Sequence, residues 1–463
     1  MNRKFYIALT SFFLLLSAFS ALPSRVAAQP DKKQLQEANR LVAEGDALYR
    51  QKNYRAAIDK YDRATVFAQN YPLAYLSKGY AHYNLGEYDQ AIEAFNTALK
   101  QGAKPVDIYT IRWQAYYMKK DYDSALGDAL AAIRTAPDNP YFYLASGQAY
   151  HAKGQYQDAI AAYKKSIELG TTDSNVNYYL ALSYNKSGDF IRQGLAAGEA
   201  IKKNTTYMGE SWDLLGQALQ INRKLEEAAE AYEQALLVKP DLYDVYNLLG
   251  DVYRNLNRFD EAIATAKRGL RLYPNDGNLY VSLSWFYSLA DKHIDAVSAA
   301  QQAIKLAPDQ YMGYTNLCRA YNDTKLYQQA VDACNKALQL SPGDGESYFY
   351  LARAYDLQGR ADQATPYYKK AVEGLVQFTR NNPDYSDGFY LLGNAYYADN
   401  KLSEAIAAYK RCLELTPKFA KARYNLGYLY YKTGNKSAAQ EQYAALQKID
   451  TVLAEKLLQA ISK

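Results

Sequence analysis

Apolar and small residues recur along this chain at helical spacing, in pairs of short segments. In residues 246–253, tyrosine, leucine and glycine positions form one stripe of a helix. Residues 259–269 carry a second stripe of Phe, Ala and Gly, and the polar pair Asn257-Arg258 separates the two. Pro274 follows the second stripe. The pattern predicts two antiparallel amphipathic helices joined by a tight polar turn.

This helix pair repeats with a fixed period. Prolines stand 34 residues apart at Pro240, Pro274, Pro308 and Pro342. Alanine keeps the same period at Ala57, Ala91, Ala125, Ala159, Ala228, Ala262, Ala296, Ala330, Ala364, Ala405 and Ala439. A frame starting at Ala38 gives twelve units, beginning at residues 38, 72, 106, 140, 174, 209, 243, 277, 311, 345, 386 and 420. A period of about 34 indicates an array of two-helix repeats that bury their apolar stripes against their neighbours.

The pattern resembles the tetratricopeptide repeat (TPR) over residues 38–453. The eighth place of the unit is a glycine in seven repeats, at Gly45, Gly79, Gly147, Gly216, Gly250, Gly393 and Gly427. The resemblance implies an all-α fold, a right-handed α-solenoid of about twelve 34-residue helix-turn-helix repeats with a C-terminal capping helix. It also implies a concave surface that binds extended peptides or partner helices.

Departures from the period mark the boundaries within the array. The fifth unit has Gln193 in the alanine place and one extra residue, so a soft joint is expected near residues 193–211. Seven extra residues near 374–382 equal about two helical turns and predict a lengthened helix. Trp113 fills an eighth place that is small elsewhere, so the third unit is expected to splay its helices or turn the ring outward.

The two ends of the array are expected to differ from its middle. Residues 29–37 precede the first unit and are assigned as a short linker. After Asp450, a helix-start residue, the apolar residues Val452, Leu453, Leu457, Leu458 and Ile461 lie on one side of a predicted helix. Residues 454–463 are therefore expected to complete a C-terminal capping helix.

Residues 1–28 have the features of a signal peptide. Arg3 and Lys4 precede an apolar run from Phe5 to Leu22, and the small residues of Val26-Ala27-Ala28 suit a signal peptidase. Cleavage there would export the protein to the periplasm or the extracellular space. The competing interpretation is an uncleaved signal anchor, in which case the segment would contact the membrane.

Composition excludes several classes of function. Removing Arg3, Lys4 and Arg25 leaves 51 basic side chains against 49 acidic ones, so a nucleic-acid partner is not expected. Three histidines and three cysteines make a metal centre or a histidine-based active site hard to assemble. No phosphate-binding loop or nucleophile elbow is found. The sequence therefore predicts a protein that is not an enzyme, with no cofactor and no metal.

Tyrosine is the most distinctive residue, with 48 copies. Many occupy core places, but others fall on first-helix places that face the inside of the array in this family. The candidate partner-binding residues are Tyr80, Tyr83, Tyr117, Tyr390, Asn394, Tyr397, Tyr424, Asn425, Tyr428 and Tyr431. Tyrosine suits a binding surface because its flat ring and hydroxyl contact a partner at low entropic cost. The alternative is that these tyrosines only fill space.

Inner-face charges and cysteines leave further alternatives open. Glu210, Asp213, Asp244 and Asp251, followed by Arg254, Arg319 and Arg353, form either an ordinary solvated face or a surface that steers a partner. Cys318 and Cys334 occupy the eighth and 24th places of one unit and are either a disulfide or two small core residues. Cys412 is assigned to the core.

Two functions follow. The favoured one is a non-catalytic, exported scaffold that binds partner peptides or helices in its concave groove. The alternative is a cell-envelope component of polysaccharide export or outer-membrane assembly, which would bind glycan or recruit partners.

Overall fold

The computed structural model describes residues 31–462, and every regular element among them is an α-helix. The chain forms two compact units, one ending at Gly170 and the other beginning at Thr171. Unit 1 holds four helix pairs: α1 (Lys32–Arg50), α2 (Tyr54–Phe67), α3 (Pro72–Asn84), α4 (Tyr88–Lys100), α5 (Pro105–Met118), α6 (Tyr122–Thr135), α7 (Pro140–Ala152) and α8 (Tyr156–Glu168).

Unit 2 holds eight more pairs and one final helix. Its first four pairs are α9 (Val176–Ser187), α10 (Phe190–Lys202), α11 (Met208–Ile221), α12 (Leu225–Val238), α13 (Tyr243–Asn255), α14 (Phe259–Leu272), α15 (Gly277–Leu289) and α16 (His293–Leu306). The remainder is α17 (Tyr311–Asp323), α18 (Tyr327–Leu340), α19 (Gly345–Leu357), α20 (Ala361–Asn381), α21 (Ser386–Ala398), α22 (Leu402–Leu415), α23 (Ala420–Lys432), α24 (Lys436–Leu446) and α25 (Thr451–Ile461). The predicted solenoid of twelve helix pairs with a capping helix is confirmed.

The turn inside each repeat has one conserved geometry along the array. The fifteenth place of all twelve units adopts a positive φ. Glycine, which enters this region without strain, stands at five of these places, as at Gly86 with φ 76°. Lysine, arginine, asparagine or aspartate stands at the others, including Asn257 with φ 58°. The turn therefore reverses the chain after the same number of residues in every repeat.

Size complementarity packs the two helices of a repeat together. A Cβ atom built on Gly147 would lie 2.5 Å from Cε1 of Tyr163, the 24th-place ring on the facing helix. The same opposition of glycine and ring occurs in four other repeats, at Gly45–Tyr61, Gly79–Phe95, Gly216–Tyr232 and Gly393–Tyr409. The glycine is needed because the ring of the second helix occupies the space of its side chain.

Trp113 reverses this arrangement. Its indole is 5% exposed and packs on Ala129 and Ala145, so a large eighth-place residue faces a small 24th-place residue. The expectation of an outward-turned ring was therefore wrong. The physical reason is that the usual 24th-place ring is absent, and the indole fills that space.

Irregular positions in the middle of the array are well packed. Gln193 is fully buried, and its Nε2 donates to the carbonyl oxygen of Leu214 at 2.7 Å. The division between the compact units lies before the joint expected at residues 193–211, and that joint stays a prediction.

Helix α20 is longer than the other second helices: it has 21 residues, whereas α18 has 14. Gly374 in α20 lies so close to Gly345 that a Cβ on Gly374 would be 2.7 Å from the Gly345 Cα.

The ends differ partly from expectation. Helix α1 begins at Lys32, so most of the segment 29–37 assigned as a linker is helical. The cause is a capping box, in which Asp31 and Gln34 each bond the other's backbone N–H. Asp450 caps α25 by accepting from the Leu453 N–H at 2.9 Å. The apolar side of α25 is narrower than predicted, since Leu457 is buried but Val452 is 60% exposed.

Two predictions concern the N-terminal segment and membranes. The proposed signal peptide, residues 1–28, lies outside the described residues. Within residues 31–462, no helix combines the length and the apolar character that crossing a bilayer requires.

Candidate functional site

The N-terminal aromatic surface of unit 1 comprises Tyr49, Tyr80, Tyr83, Tyr117 and Tyr141, which lie half-buried on the first helices α1, α3, α5 and α7. Hydrogen bonds between neighbouring repeats hold two of its rings. Asn84 Nδ2 on α3 donates to the Tyr49 hydroxyl on α1 at 2.8 Å. Gln114 Nε2 on α5 donates to the Tyr141 hydroxyl on α7 at 2.6 Å. The predicted residues Tyr80, Tyr83 and Tyr117 lie on the same first helices and pack against Phe95, Tyr88 and Trp113, with ring centroids 5.8, 5.7 and 6.1 Å apart.

The second predicted cluster lies on α21 and α23 and is called the C-terminal aromatic surface. It comprises Tyr390, Asn394, Tyr397, Tyr424, Asn425, Tyr428 and Tyr431, all of which are half-buried. The structure brings its asparagines together. Asn425 Nδ2 donates to Asn394 Oδ1 at 2.9 Å, and the Tyr409 hydroxyl donates to the same oxygen at 2.6 Å. Part of the hydrogen-bonding capacity expected for a partner is thus used to join two repeats.

The tyrosines of this surface have different surroundings. Tyr397 and Tyr428 meet edge to face with ring centroids 6.5 Å apart, and Lys432 Nζ lies 3.2 Å from the Tyr397 hydroxyl. Tyr424 and Tyr428 pack against the apolar cluster of the capping helix α25. Burial raises the pKa of the Tyr390 hydroxyl, and hydrogen bonds from Asn394 and Asn425 oppose this rise. The end of the array is therefore partly covered by its own last helix.

In unit 2, distant repeats contact each other. Arg254 on α13 bonds Asp387 on α21, and both side chains are at most one-tenth exposed. Asn257 Nδ2 donates to the Lys418 carbonyl oxygen at 2.6 Å, and Lys421 Nζ lies 3.5 Å from Asp291 Oδ1. The seventh and eighth repeats thus touch the eleventh and twelfth. The interpretation of Arg254 as part of a solvated face is therefore wrong.

Trp285 lies at the centre of this contact region. The guanidinium carbon of Arg254 is 4.6 Å from the indole centroid, and that of Arg319 is 6.0 Å away. Trp285, Arg319 and Arg353 share the ninth place of successive repeats. That register could have identified them from the sequence, which singled out only the arginines. The search for binding residues considered tyrosines and therefore did not include Trp285, whose indole is the central ring of this region.

Two acidic side chains of unit 2 have raised pKa values. Burial raises the pKa of Glu346 to about 7; nearby Arg319 opposes the rise, and Asp344 and Asp387 add to it. Burial also raises the pKa of Asp213 on α11 to about 6, with a hydrogen bond from Gln217 acting against it. Two carboxyl groups of unit 2 can therefore change charge close to neutral pH.

Several cavities open in this part of unit 2. The one named here the inner cavity has a volume of about 390 Å³ and is lined by residues of α15, α17, α19 and α21, including Trp285, Arg319, Glu346, Tyr350 and Tyr390. An adjoining cavity of about 160 Å³ shares Trp285, Arg319 and Glu346 and has a more apolar wall with Leu375 and Phe378. These cavities place aromatic and charged groups side by side.

Cysteine and metal chemistry add little to the site. Cys318 and Cys334 stand opposite each other in α17 and α18 with Cα atoms 5.3 Å apart and their sulfur atoms bonded. Cys412 is buried and has a free thiol, whose pKa burial raises. Among residues 31–462, no group of three or more His, Cys, Asp or Glu side chains is arranged to hold a metal ion.

Comparisons with known proteins agree with the repeat pattern. A tetratricopeptide repeat model matches residues 42–107, 114–174, 214–277 and 292–345. Other TPR models match residues 323–385, 393–434 and 420–451. No curated protein sequence matches the chain.

Several solved structures resemble the fold. Yeast Tom70 is 16% identical over 92% of this chain and 94% of its own, with a TM-score of 0.41. The Cut9–Hcn1 hetero-tetramer of the APC/C is 13% identical over 93% of this chain and 98% of its own, with a TM-score of 0.37. MamA is 25% identical over 36% of this chain and 97% of its own, with a TM-score of 0.32. Since the family models match more than half of its residues, the chain belongs to the tetratricopeptide repeat family.

Proposed function

We propose that this protein is an exported, non-catalytic scaffold that holds protein partners against the tyrosine-rich first helices of its repeats. Membership of a repeat family whose stacked units present extended binding surfaces supports a role in protein binding. The observation that carries the proposal is the N-terminal aromatic surface, where half-buried rings from four successive repeats form one face.

The hydrogen bonds of this surface favour binding. Asn84 and Gln114 fix the hydroxyls of Tyr49 and Tyr141, so these rings keep their positions before a partner arrives. Tyr83 meets Tyr88 with ring centroids 5.7 Å apart, and Tyr117 meets Tyr122 at 5.3 Å. Rings that are already ordered lose little conformational entropy on association, which leaves more of the contact energy for affinity.

Site-specific photo-crosslinking tests this proposal. A photoreactive amino acid placed at Tyr83 should form a discrete covalent adduct with a protein partner in cells. The same amino acid at Val66, which is 75% exposed on the second helix α2, should not. Equal labelling from both positions, or adducts with polysaccharide only, would contradict the proposal.

The affinity of the identified partner then measures the contribution of the tyrosines. Replacing Tyr83 and Tyr117 by Ala should weaken binding by about 1–3 kcal/mol if the rings are energetic anchors. Val66→Ala should leave the affinity unchanged, and circular dichroism should show the same helicity in all variants. Unchanged binding after both tyrosine substitutions would assign these rings to packing alone.

Export is tested separately at the N-terminus. The basic residues Arg3 and Lys4, the apolar run to Leu22 and the small residues before Gln29 support cleavage after Ala28. Protein recovered outside the cytoplasm should therefore begin at Gln29 when its N-terminus is sequenced. Exported protein that begins at Met1 or Asn2 would instead indicate a retained signal anchor.

A further inference from the structure

Two buried arginines of unit 2 lie against Trp285, but they differ in their carboxylate partners. Arg254 bonds Asp387 and also lies 3.3 Å from Asp251. Arg319 bonds the side-chain oxygen of Asn316, and the nearest Glu346 oxygen is 3.6 Å from its Nη2. The Nε of Arg319 is buried and has no hydrogen-bond partner among the described residues. Arg319 is therefore a buried cation with an incomplete set of acceptors, which is costly.

The other carboxylates around the inner cavity have cations of their own. Asp323 lies 3.5 Å from Arg353. Asp291 lies 3.5 Å from Lys421, and Asp387 is bonded by Arg254. Among the described residues, Glu346 is the one carboxylate within 4 Å of Arg319, and burial raises its pKa to about 7, so part of the population holds a proton at neutral pH. Because the other carboxylates are paired with other cations, Arg319 is the cation that the carboxylate of a ligand would neutralise.

The inner cavity has the size and lining of a small-molecule site. Its volume of about 390 Å³ falls within the usual range of about 300–1,000 Å³ for ligand pockets. Arg319 and Tyr350 form buried parts of its wall, and the 43% exposed side chain of Arg353 lies towards solvent. Aromatic rings contribute to the remaining lining, those of Trp285, Phe349, Tyr390 and Phe419 among them.

Two further polar groups of this lining lack partners. The Ser288 hydroxyl and the His293 Nδ1 are buried without a hydrogen bond among the described residues. A hydroxyl and an imidazole can both donate to a carboxylate oxygen. Unsatisfied polar atoms are rare in folded proteins, and three of them belong to residues that line this one cavity.

We propose that the inner cavity binds an aromatic carboxylic acid, whose carboxylate accepts hydrogen bonds from Arg319 and whose ring packs against the aromatic wall. The cavity shares Tyr390 and Asn394 with the C-terminal aromatic surface, but the site goes beyond the proposed function because its ligand is a small acid whose carboxylate is bound by Arg319. A free aromatic acid and a peptide that ends in phenylalanine share this chemistry.

Calorimetric titration of the full chain tests the proposal. The probe is 3-phenylpropionate, and its matched control is the uncharged 3-phenylpropanamide. We expect saturable binding of the acid with a Kd below about 1 mM and binding of the amide that is at least about tenfold weaker. Glycylglycylphenylalanine and its C-terminal amide form a second arm. Tighter binding of the peptide acid than of 3-phenylpropionate would identify a protein C-terminus as the source.

Substitutions test whether Arg319 binds the carboxylate. Arg319→Gln should weaken binding of the acid at least about tenfold, because the buried charge partner is lost. Arg319→Lys keeps the charge and should retain part of the affinity. Glu346→Gln removes the competing carboxylate and should increase the affinity. Lys369→Gln, at an exposed position of α20, is the control and should change nothing.

The folded state of each variant is checked by circular dichroism and thermal unfolding. If Arg319→Gln does not fold, Glu346→Gln and Arg319→Lys still decide the question. Equal affinity for the acid and the amide would overturn the proposal, and so would lack of saturable binding of both acids. Undiminished binding to folded Arg319→Gln would equally exclude this residue as the receptor of the carboxylate.

Discussion

Arg254 and Asp387 lie 133 residues apart in the sequence and form an ion pair that is almost entirely buried. Helices α13 and α21, which carry them, belong to repeats separated by three others. The pair also packs on Trp285, whose indole lies 4.6 Å from the guanidinium carbon. Side chains of distant repeats thus contact each other on the inner side of unit 2, whereas the rings of the N-terminal aromatic surface of unit 1 are half-buried.

Breaking this pair should strongly destabilise unit 2. Arg254→Gln leaves the Asp387 carboxylate buried without its cation, and loss of one member of a buried pair costs about 3–5 kcal/mol. Urea unfolding followed by circular dichroism measures the loss. Lys202→Gln is the matched control, because its pair with Glu199 is exposed and such pairs contribute at most about 1 kcal/mol. A similar effect of both substitutions would show that the Arg254–Asp387 contact contributes little.

The stability of unit 2 should fall as the pH rises towards 7. Glu346 has a pKa of about 7 in the folded protein, against an ordinary value of 4.5. Between these values the folded state binds more protons than the unfolded state, so the free energy of unfolding decreases with increasing pH and levels off above about pH 7. Burial is the main cause of this raised pKa; Arg319 opposes the rise, and Asp344 and Asp387 add to it.

Urea midpoints at several pH values check this dependence. Asp213 adds a change of the same sign, so the difference between wild type and Glu346→Gln isolates the contribution of Glu346. Glu455→Gln, at an exposed position of α25, should follow the wild-type profile. Parallel profiles for the wild type and Glu346→Gln would refute the prediction.

The effect of Gly147→Ala should depend on Tyr163. In the wild type, the added methyl group meets the Tyr163 ring at 2.5 Å and should cost about 1–3 kcal/mol. In a Tyr163→Ala background the ring is gone, and the same substitution should be neutral or stabilising because alanine favours a helix over glycine by about 1 kcal/mol.

A double-mutant cycle from urea unfolding measures this reversal of sign. Gly127→Ala in α6 is the control, since a Cβ there meets nothing within 4 Å, and it should be stabilising in the wild type. If Gly147→Ala cost the same in both backgrounds, the steric explanation would be wrong.

The unfolded, unreduced protein should expose one thiol per chain. Cys318 and Cys334 are within bridging distance, with Cα atoms 5.3 Å apart, and Cys412 has a free thiol. A bridge over 16 residues should stabilise the fold by about 3 kcal/mol in the chain-entropy model, and reduction should remove this amount. The double variant Cys318→Ala, Cys334→Ala should be insensitive to reduction. A count of three thiols would mean that both residues are core cysteines only.

The repeat architecture could be predicted from the sequence because its causes are local. The places of Gly147, Ala159 and Tyr163 recur every 34 residues, and each depends on the facing helix of the same repeat. The prediction of an outward-turned Trp113 ring was wrong because the eighth place was considered without the residue that faces it, Ala129. Considering both places together would have predicted the buried indole.

The cross-contacts of unit 2 could not be predicted in this way. Whether Arg254 meets Asp387 depends on rotations accumulated over several repeats, which the composition of one repeat does not specify. From the sequence alone, the charged residues at inner places were therefore consistent with a face exposed to solvent. The tyrosine-based candidates were placed on first helices, but the network of Asn394, Asn425 and Tyr409 depends on side-chain distances that periodicity cannot supply.

A linear repeat array unfolds by fraying, because each repeat is stabilised only by its neighbours and the terminal ones detach first. The bonds from Arg254 to Asp387 and from Asn257 to Lys418 add a long-range term to unit 2. Loss of the eleventh repeat then removes contacts from the seventh as well as from the tenth and twelfth. Unit 2 therefore melts more nearly as a single cooperative block than as a zipper, and damage near its C-terminus is transmitted to its middle.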